Sequence, residues 1–446
     1  MHYLELFLPL RLRLGGLAIV GLLIGAANAH DASGEEAFRP NIVILVSDDL
    51  DYGKLGYNGY SAVATPHLDS VIRGGTFFSN GYVSGPVCAP TRAGLMTGRY
   101  QARIGYQTLT GPIERQIADD YGVDTREILL PQLLKDAGYA TAVIGKWHLG
   151  YNDKYHPNER GVDHFFGFLA GGHDYFLWDT PEVSPQGGAI LRNKQKAAGE
   201  GYVTEALARE AAEFVRNHRD GPFFLYYSPY NVHAPHVVPD RYLPEDGDVM
   251  AGMVRALDDS VGVILAALDA CGLTDDTLIV YVNDNGGTRD NSPYRGKKGQ
   301  LYEGGIRVPF AMRWPGRIPA GATFDPPVIQ LDILPTVVTA AGGTLPGDRE
   351  FDGVNLLPFL TSDDLRAPHE ELFWRYPGHG RAVRAGNLKL LLPEQDGPQL
   401  YDLNTDPGEQ DDITLQFPMK VARLRKAVQI WEARVADPQQ YGLSSR

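Results

Sequence analysis

The side chains best able to do chemistry fall in a few short stretches. Cys88-Ala89-Pro90-Thr91-Arg92 places a thiol two residues ahead of a proline. If Pro90 occupies the first turn of a helix, Cys88 stands at the helix N-terminus, where free backbone N–H groups and the dipole favour an anion. Arg92, four residues on, shares that face. A thiol so placed is acidic and reactive, poor material for a structural core. Asp48-Asp49 and Asp284-Asn285 offer hard oxygen donors without thiolate or imidazole, a set that suits Ca2+ or Mg2+ better than zinc. Lys146, His148, His233 and Lys298 add positive charge and proton carriers. Taken singly, each has an ordinary use: an Asp pair can cap a helix, a lysine is usually solvated, and a histidine usually hydrogen-bonds in core or surface.

These residues gain weight from the elements that must carry them. Pro40–Val46 is a continuous apolar run that ends in Ser47-Asp48-Asp49, the pattern of a buried parallel strand whose C-terminal end meets a loop. Thr65-Pro66 predicts a helix start with Thr65 as N-cap. A helix over Glu127–Ala137 leads through Gly138 to a strand at Ala140–Gly145, and the unit recurs. Glu205–Asn217 precedes a strand at Phe223–Tyr227, and Met253–Ala270 precedes one at Leu278–Val282. Alternating helix and strand predicts an α/β fold, a large mostly parallel sheet sandwiched by helices. Each strand runs into Asp48-Asp49, Lys146 and His148, His233, or Asp284-Asn285, so one rim of the sheet gathers the chemistry, where ligands collect in open α/β sheets. Past about Leu360 the pattern changes. Arg381–Arg384, Leu388–Leu392 and Gln399–Leu403 read as short antiparallel strands, and Val421, Leu424, Val428, Trp431 and Val435 recur at helical spacing. The organisation expected is a signal peptide at 1–29, a catalytic domain at 30–365 and a small C-terminal α+β subdomain at 366–446.

The signal peptide rests on Arg11 and Arg13 ahead of an apolar, small-residue run from Leu14 to Ala27 and an Ala27-Asn28-Ala29 cleavage site. The run is too short and too rich in glycine for a stable membrane anchor. A soluble periplasmic or secreted product is expected. The whole chain carries a formal charge of −14, and loss of Glu5, Arg11 and Arg13 with the signal leaves −15. That balance, without any Lys/Arg run, argues against nucleic acid or an anionic membrane surface as partner. Two cysteines, Cys88 and Cys271, would ordinarily pair in an oxidising compartment, an expectation set against the reactive surroundings of Cys88.

The stretch Cys88–Gly98 resembles the C-x-P-S/T-R-x-x-x-L/M-T-G signature of the type I sulfatases, the formylglycine-dependent branch of the alkaline phosphatase superfamily. Ser47-Asp48-Asp49, Gly145–Gly150, His233-Ala234-Pro235, Asn283–Gly287, Arg295–Gly299 and Glu303–Pro309 also match that family, in its order, over nearly the whole mature chain. The resemblance implies that Cys88 is oxidised to Cα-formylglycine by a maturation enzyme and that its hydrate attacks sulfur. It selects Ca2+, with Mg2+ second, held by Asp48, Asp49, Asp284, Asn285 and the modified Cys88; some relatives carry His where Asn285 stands. It implies that Arg92, Lys146 and Lys298 stabilise sulfuryl charge, that His148 helps expel sulfate, and that His233 with Lys298 assists the leaving group. Asp284 would accept the hydrate's proton. Lys298 rather than Lys297 takes this role because it immediately precedes Gly299. If Cys88 is converted, Cys271 is left unpaired, a buried small residue near a helix end.

Substrate choice is expected in the loops 101–125, 151–200 and 374–381. His173, Asp174, Tyr175, Trp178, Arg192, Trp374, Arg375, His379 and Arg381 are the residues there that could stack on or bond a sugar. The acidic balance disfavours long-range attraction of a polyanion, so a sulfated sugar or oligosaccharide end caught by a local cationic pocket is the substrate class expected. Alternatives are a phosphomonoester or phosphonate-ester hydrolase of the same superfamily, a non-catalytic Ca2+-dependent glycan-binding protein, and a thiol enzyme using Cys88 directly.

Overall fold

The computed structural model describes residues 38–108, 113–180, 188–361 and 366–435. The signal and its cleavage site lie outside the described residues, as do the 362–365 stretch holding the expected subdomain boundary and parts of the 101–125 and 151–200 loops.

Five parallel strands form the centre: β1 (Asn41–Ser47), β2 (Ala140–Lys146), β3 (His164–Phe168), β4 (Phe223–Ser228) and β5 (Thr277–Asn283), side by side in the order β5-β1-β4-β2-β3. Short strands extend both edges to ten in all, and antiparallel pairings enter there. Phe310–Arg313 runs against β5 and Leu191–Arg192 against β3. The sheet is thus parallel where the chemistry sits and mixed at its margins.

The apolar runs are continuous because both faces are covered. In β1, Ile42, Ile44 and Val46 enter one core while Val43 and Leu45 enter the other. On the second face lie α1 (Pro66–Arg73), α3 (Val203–Asn217) and α4 (Val249–Ala270); α2 (Cys88–Thr97) packs on the first. Thr65 precedes α1 but does not cap it: its hydroxyl donates to Asp69 Oδ1 (2.8 Å). The first-turn amides of His67 and Leu68 donate instead to Asp258 on α4 (3.2 and 2.8 Å), a long-range cap invisible to local pattern. The helix expected over 127–137 is shorter, Leu130–Asp136, because Pro131 sets its first turn.

The C-terminal sheet has four antiparallel strands, β6 (Glu371–Tyr376), β7 (Gly380–Ala385), β8 (Leu388–Pro393) and β9 (Gln399–Asp402), of which β6 escaped the sequence pattern. Helix α5 (Pro418–Glu432) covers one face with Val421, Leu424 and Val428, as its spacing predicts. The other face joins the main core through Leu372, Trp374, Ala382 and Leu391. Polar anchoring is equally direct. Lys389 on β8 is fully buried between Glu303 Oε1 (2.8 Å) and Glu409 Oε1 (2.9 Å), while Tyr82 donates to Glu303 Oε2 (2.6 Å) and Arg307 pairs with it (3.3 Å). The Glu303–Arg307 stretch is therefore a structural clamp between sheets.

Candidate active site

The carboxyl ends of β1, β2, β4 and β5 bring the polar residues together by register. Ser47 stands opposite Asn283, so Asp48 and Asp284 emerge side by side; Gly145 stands opposite Ser228, so Lys146 emerges next to β4. Beyond β1, β2 and β4 the chain turns by one shared device. Asp49, His148 and Tyr230, each the second residue past its strand, have φ of 59°, 60° and 54°. Left-handed backbone at non-glycine residues is costly and concentrates at functional sites. Asn283 fixes the first turn from beside: its amide donates to Leu50 O (2.9 Å) and its oxygen accepts from Ser47 Oγ (2.8 Å).

Cys88 opens α2, and Pro90 lies within the first turn, as the spacing predicts. The thiol is buried and free, and Cys271, half-buried at the end of α4, is also free, so the two are not bonded. Arg92, buried on the same helix, donates to Asp284 Oδ2 through Nε (3.0 Å) and one terminal nitrogen (2.8 Å), and that nitrogen also reaches Asp48 Oδ2 (3.1 Å). Its other terminal nitrogen donates to Ser228 Oγ (2.6 Å). Lys146 Nζ meets Asp48 Oδ2 at 2.6 Å, and Lys298 Nζ meets Asp49 Oδ1 at 2.7 Å. Lys297, its neighbour, is exposed. Asn285 Nδ2 donates to Asp49 Oδ1 (2.8 Å), and His233 Nε2 lies 3.8 Å from Asp49 Oδ2.

The charges are strongly coupled. Burial alone would push the Asp48 carboxyl up, but Lys146, His233, Arg92 and Lys298 outweigh it and hold it well below the usual range. Burial, reinforced by Asp48, raises Asp284 to about 6 despite Arg92. His148 is pushed far below the ordinary histidine value by burial, with Lys146 and Arg92 adding repulsion, so its imidazole is neutral at neutral pH. Its Nδ1 is buried with no hydrogen-bond partner among the described residues. Gly171 makes room for this ring: a Cβ there would lie 2.7 Å from His148 Cε1.

The donor set fits a hard cation. Asp48 Oδ1 and Asn285 Oδ1 are buried and have no partner among the described residues, whereas the other Asp48 oxygen is taken by Arg92 and Lys146. Ligand atoms of Asp48, Asp49 and His233 lie within 4.8 Å of one another. A second such group, His67, Asp258 and Asp259, includes the carboxylate that caps α1.

Residues singled out for substrate contact separate more sharply. Trp374 is fully buried and donates to Val83 O (2.7 Å), and Tyr175 is fully buried with its hydroxyl on His233 O (2.9 Å), so neither can stack on a sugar. His173 is buried, Arg192 pairs with Glu210, and Arg381 donates to Glu432. Arg375 donates to Gln107 (2.7 Å), Asp174 accepts the amides of Phe176 and Leu177, and Trp178 packs on Phe166. His379 remains exposed and stacks on Tyr376 (4.4 Å, 10°), whose phenol is pushed up chiefly by burial, with Cys88 adding to it and Lys298 opposing. The sequence reading assigned no role to Ser228, Asn283, Gly171 or Tyr376, although Asn283 stood in a matched motif and Gly171 and Tyr376 in loops expected to set specificity; Ser228 had a signal, a small polar residue closing an apolar strand.

A doubly covered sheet that gathers cations, imidazoles and oxygen donors at its carboxyl rim is the arrangement of an enzyme that acts on an anionic ester. The family model described as Sulfatase matches residues 40–343, and one described as N-sulphoglucosamine sulphohydrolase, C-terminal, matches residues 296–433. Human N-acetylgalactosamine-6-sulfatase is 31% identical, across 87% of this chain and 85% of its own length. Mouse steryl-sulfatase is 29% identical, across 91% and 83%. Among solved structures, Ps i-CgsB superposes with a TM-score of 0.85 at 32% identity, over 90% of this chain and 94% of that one; it is also known in complex with k-i-k-neocarrahexaose. The chain belongs to the sulfatase family of the alkaline phosphatase superfamily and is a sulfuric ester hydrolase.

Proposed function

We propose that this sulfatase hydrolyses a sulfate monoester on a sugar or oligosaccharide, with Cys88, converted to formylglycine by a maturation enzyme, as its nucleophile. The observation that carries this reading is the placement of Cys88 on the first turn of α2, with Arg92 four residues along bound to the paired carboxylates of Asp48 and Asp284. A formylglycine hydrate supplies a nucleophile that releases sulfate by collapsing to the aldehyde, an exit a simple alcohol lacks. Asp48, Asp49, Asp284 and Asn285 would hold Ca2+, with the modified Cys88 beside it; Mg2+ is the second choice, being less tolerant of irregular oxygen cages. A bound Ca2+ supplies fixed positive charge beside the sulfuryl oxygens.

This chain's own side chains do the rest. Arg92, Lys146 and Lys298 hold the sulfuryl group by charge, in a site where burial strengthens each contact. His148, neutral and with a ring nitrogen that has no partner among the described residues, would accept the proton of the formylglycine hydroxyl as sulfate leaves. His233 and Lys298, both beside Asp49, can give a proton to the departing sugar oxygen. Tyr376 and His379 offer an aromatic face for a sugar ring. A carbohydrate substrate is supported by the likeness to Ps i-CgsB, solved in complex with k-i-k-neocarrahexaose. An exported enzyme, periplasmic or secreted, with residues 30–365 as catalytic domain and 366–446 as C-terminal subdomain, completes the reading. The test is sulfate release from a panel of sulfated oligosaccharides against matched phosphate esters. Release of sulfate from an oligosaccharide is expected, and faster turnover of the phosphate esters would favour the phosphohydrolase reading.

A further inference from the structure

The strong cations of the site centre are each tied to a carboxylate: Arg92 to Asp48 and Asp284, Lys146 to Asp48, Lys298 to Asp49. Arg289 is different. It is exposed on the loop four residues past Asn285, and among the described residues no carboxylate forms a salt bridge with its guanidinium. One terminal nitrogen donates to His236 Nδ1 at 3.3 Å. Since arginine can only donate, that nitrogen of His236 accepts, so its proton sits on Nε2. The pair therefore has only donors left to offer, on one permanent positive charge.

Both partners stand a few residues along the chain from residues of the site. His236 follows His233 by three residues, and His233 Nε2 is 3.8 Å from Asp49; Arg289 follows Asn285, which donates to Asp49. The Arg289 position is fixed by its own backbone, whose N–H donates to Asp51 Oδ1 (3.1 Å). That carboxylate fills the space beside Gly287, where a Cβ would come within 1.8 Å of Asp51 Oδ1. A held cation with no carboxylate salt bridge among the described residues, on loops that follow His233 and Asn285 in a chain of net charge −14, is suited to a substrate with more than one negative group.

We propose that Arg289 and His236 form a second anion subsite, which receives a sulfate or carboxylate on the sugar that bears, or neighbours, the scissile ester. This rests on the sulfated-sugar reading given above. The guanidinium fork binds such a group through parallel N–H bonds, and His236 holds the guanidinium in place by accepting at Nδ1. The subsite selects multiply charged saccharides and fixes their orientation without touching the reacting atoms.

The test uses the full-length, Cys88-converted enzyme. Kinetics are measured for oligosaccharides of κ-carrageenan, ι-carrageenan and chondroitin 6-sulfate, and for 4-methylumbelliferyl sulfate, which has no second anion. The first two differ in sulfate density and the third adds a carboxylate, so the preferred one names the group bound. Arg289→Ala is expected to raise KM for the best oligosaccharide tenfold or more beyond any effect on the aryl sulfate, with kcat little changed, and Arg289→Lys to restore part of the loss. Equal effects on both substrates, or none on either, would overturn the subsite. Turnover of the aryl sulfate but of no oligosaccharide would overturn the sugar reading and the subsite with it, whereas loss confined to Arg289→Ala on saccharides would leave both standing.

Discussion

At the residue scale, the site is held by groups that do not themselves react. Ser228 accepts from Arg92 at 2.6 Å, leaving the rest of the guanidinium aimed at Asp48 and Asp284. A hydrogen bond to a charged group is worth about 1.5–3 kcal/mol. Ser228→Ala is therefore expected to lower kcat roughly tenfold while KM changes little, as read from aryl sulfate kinetics. Asn285→Ala removes an unpartnered buried oxygen suited to a cation, and Ca2+ affinity measured by calorimetry should fall roughly tenfold or more. The candidate site residues that the fold brings together were legible in the sequence because each stands near the end of an apolar strand or inside a compact motif. Those that hold them were less so: Tyr175, which looked like a sugar contact, is buried with its hydroxyl on the carbonyl of His233. An aromatic residue in a loop carries no mark of which way it faces.

At the element scale, strand order turns scattered motifs into one site. Parallel pairing of β5, β1, β4 and β2 sets Asp284, Asp48, Ser228 and Lys146 across one rim, and the periodicity of apolar runs made this arrangement readable. The turns after the strands were not readable, because nothing local distinguishes Asp49 or His148 as left-handed residues. Asn283 ties β5 to the turn after β1 by two bonds. Asn283→Ala leaves the buried Leu50 carbonyl without this partner, while Ser47 Oγ keeps Tyr281 Oη at 3.1 Å, at a cost of about 1–3 kcal/mol in thermal or denaturant unfolding, with activity lost in parallel. Gly171→Ala probes the opposite wall: its Cβ collides with the His148 ring, so the variant should keep its fold by circular dichroism yet lose activity.

At the scale of the whole molecule, the C-terminal sheet belongs to the site's architecture as well as to the core. Lys389, Glu303 and Glu409 join it to the loop that carries Lys298, and Lys389→Ala, which strips the partner from two buried carboxylates, should cost about 3–5 kcal/mol. Burial raises Glu409 from the ordinary 4.5 to about 7, Glu303 adding to it and Lys389 opposing. The folded protein then holds that proton more tightly than the unfolded chain, so this group makes stability fall as pH rises from about 4.5 to 7. Asp258, raised by burial to about 6, acts in the same sense. Buried histidines such as His148, whose values are lowered, act in the opposite sense, so the prediction is a difference: Glu409→Gln should make the change of the thermal unfolding midpoint across that window more positive than in the parent protein. The sequence marked Glu303–Arg307 as a family stretch but not as a clamp, since its partners lie some 80 to over 100 residues away.

The central claim is that Cys88 is the precursor of the nucleophile. Mass spectrometry of the tryptic peptide Gly74–Arg92 from active enzyme made in its native host tests it most directly. Conversion of the thiol to the aldehyde, in a fraction that scales with sulfate release across preparations, is the result predicted. Fully active enzyme carrying an unmodified Cys88 thiol, or a Cys88–Cys271 disulfide, would contradict it.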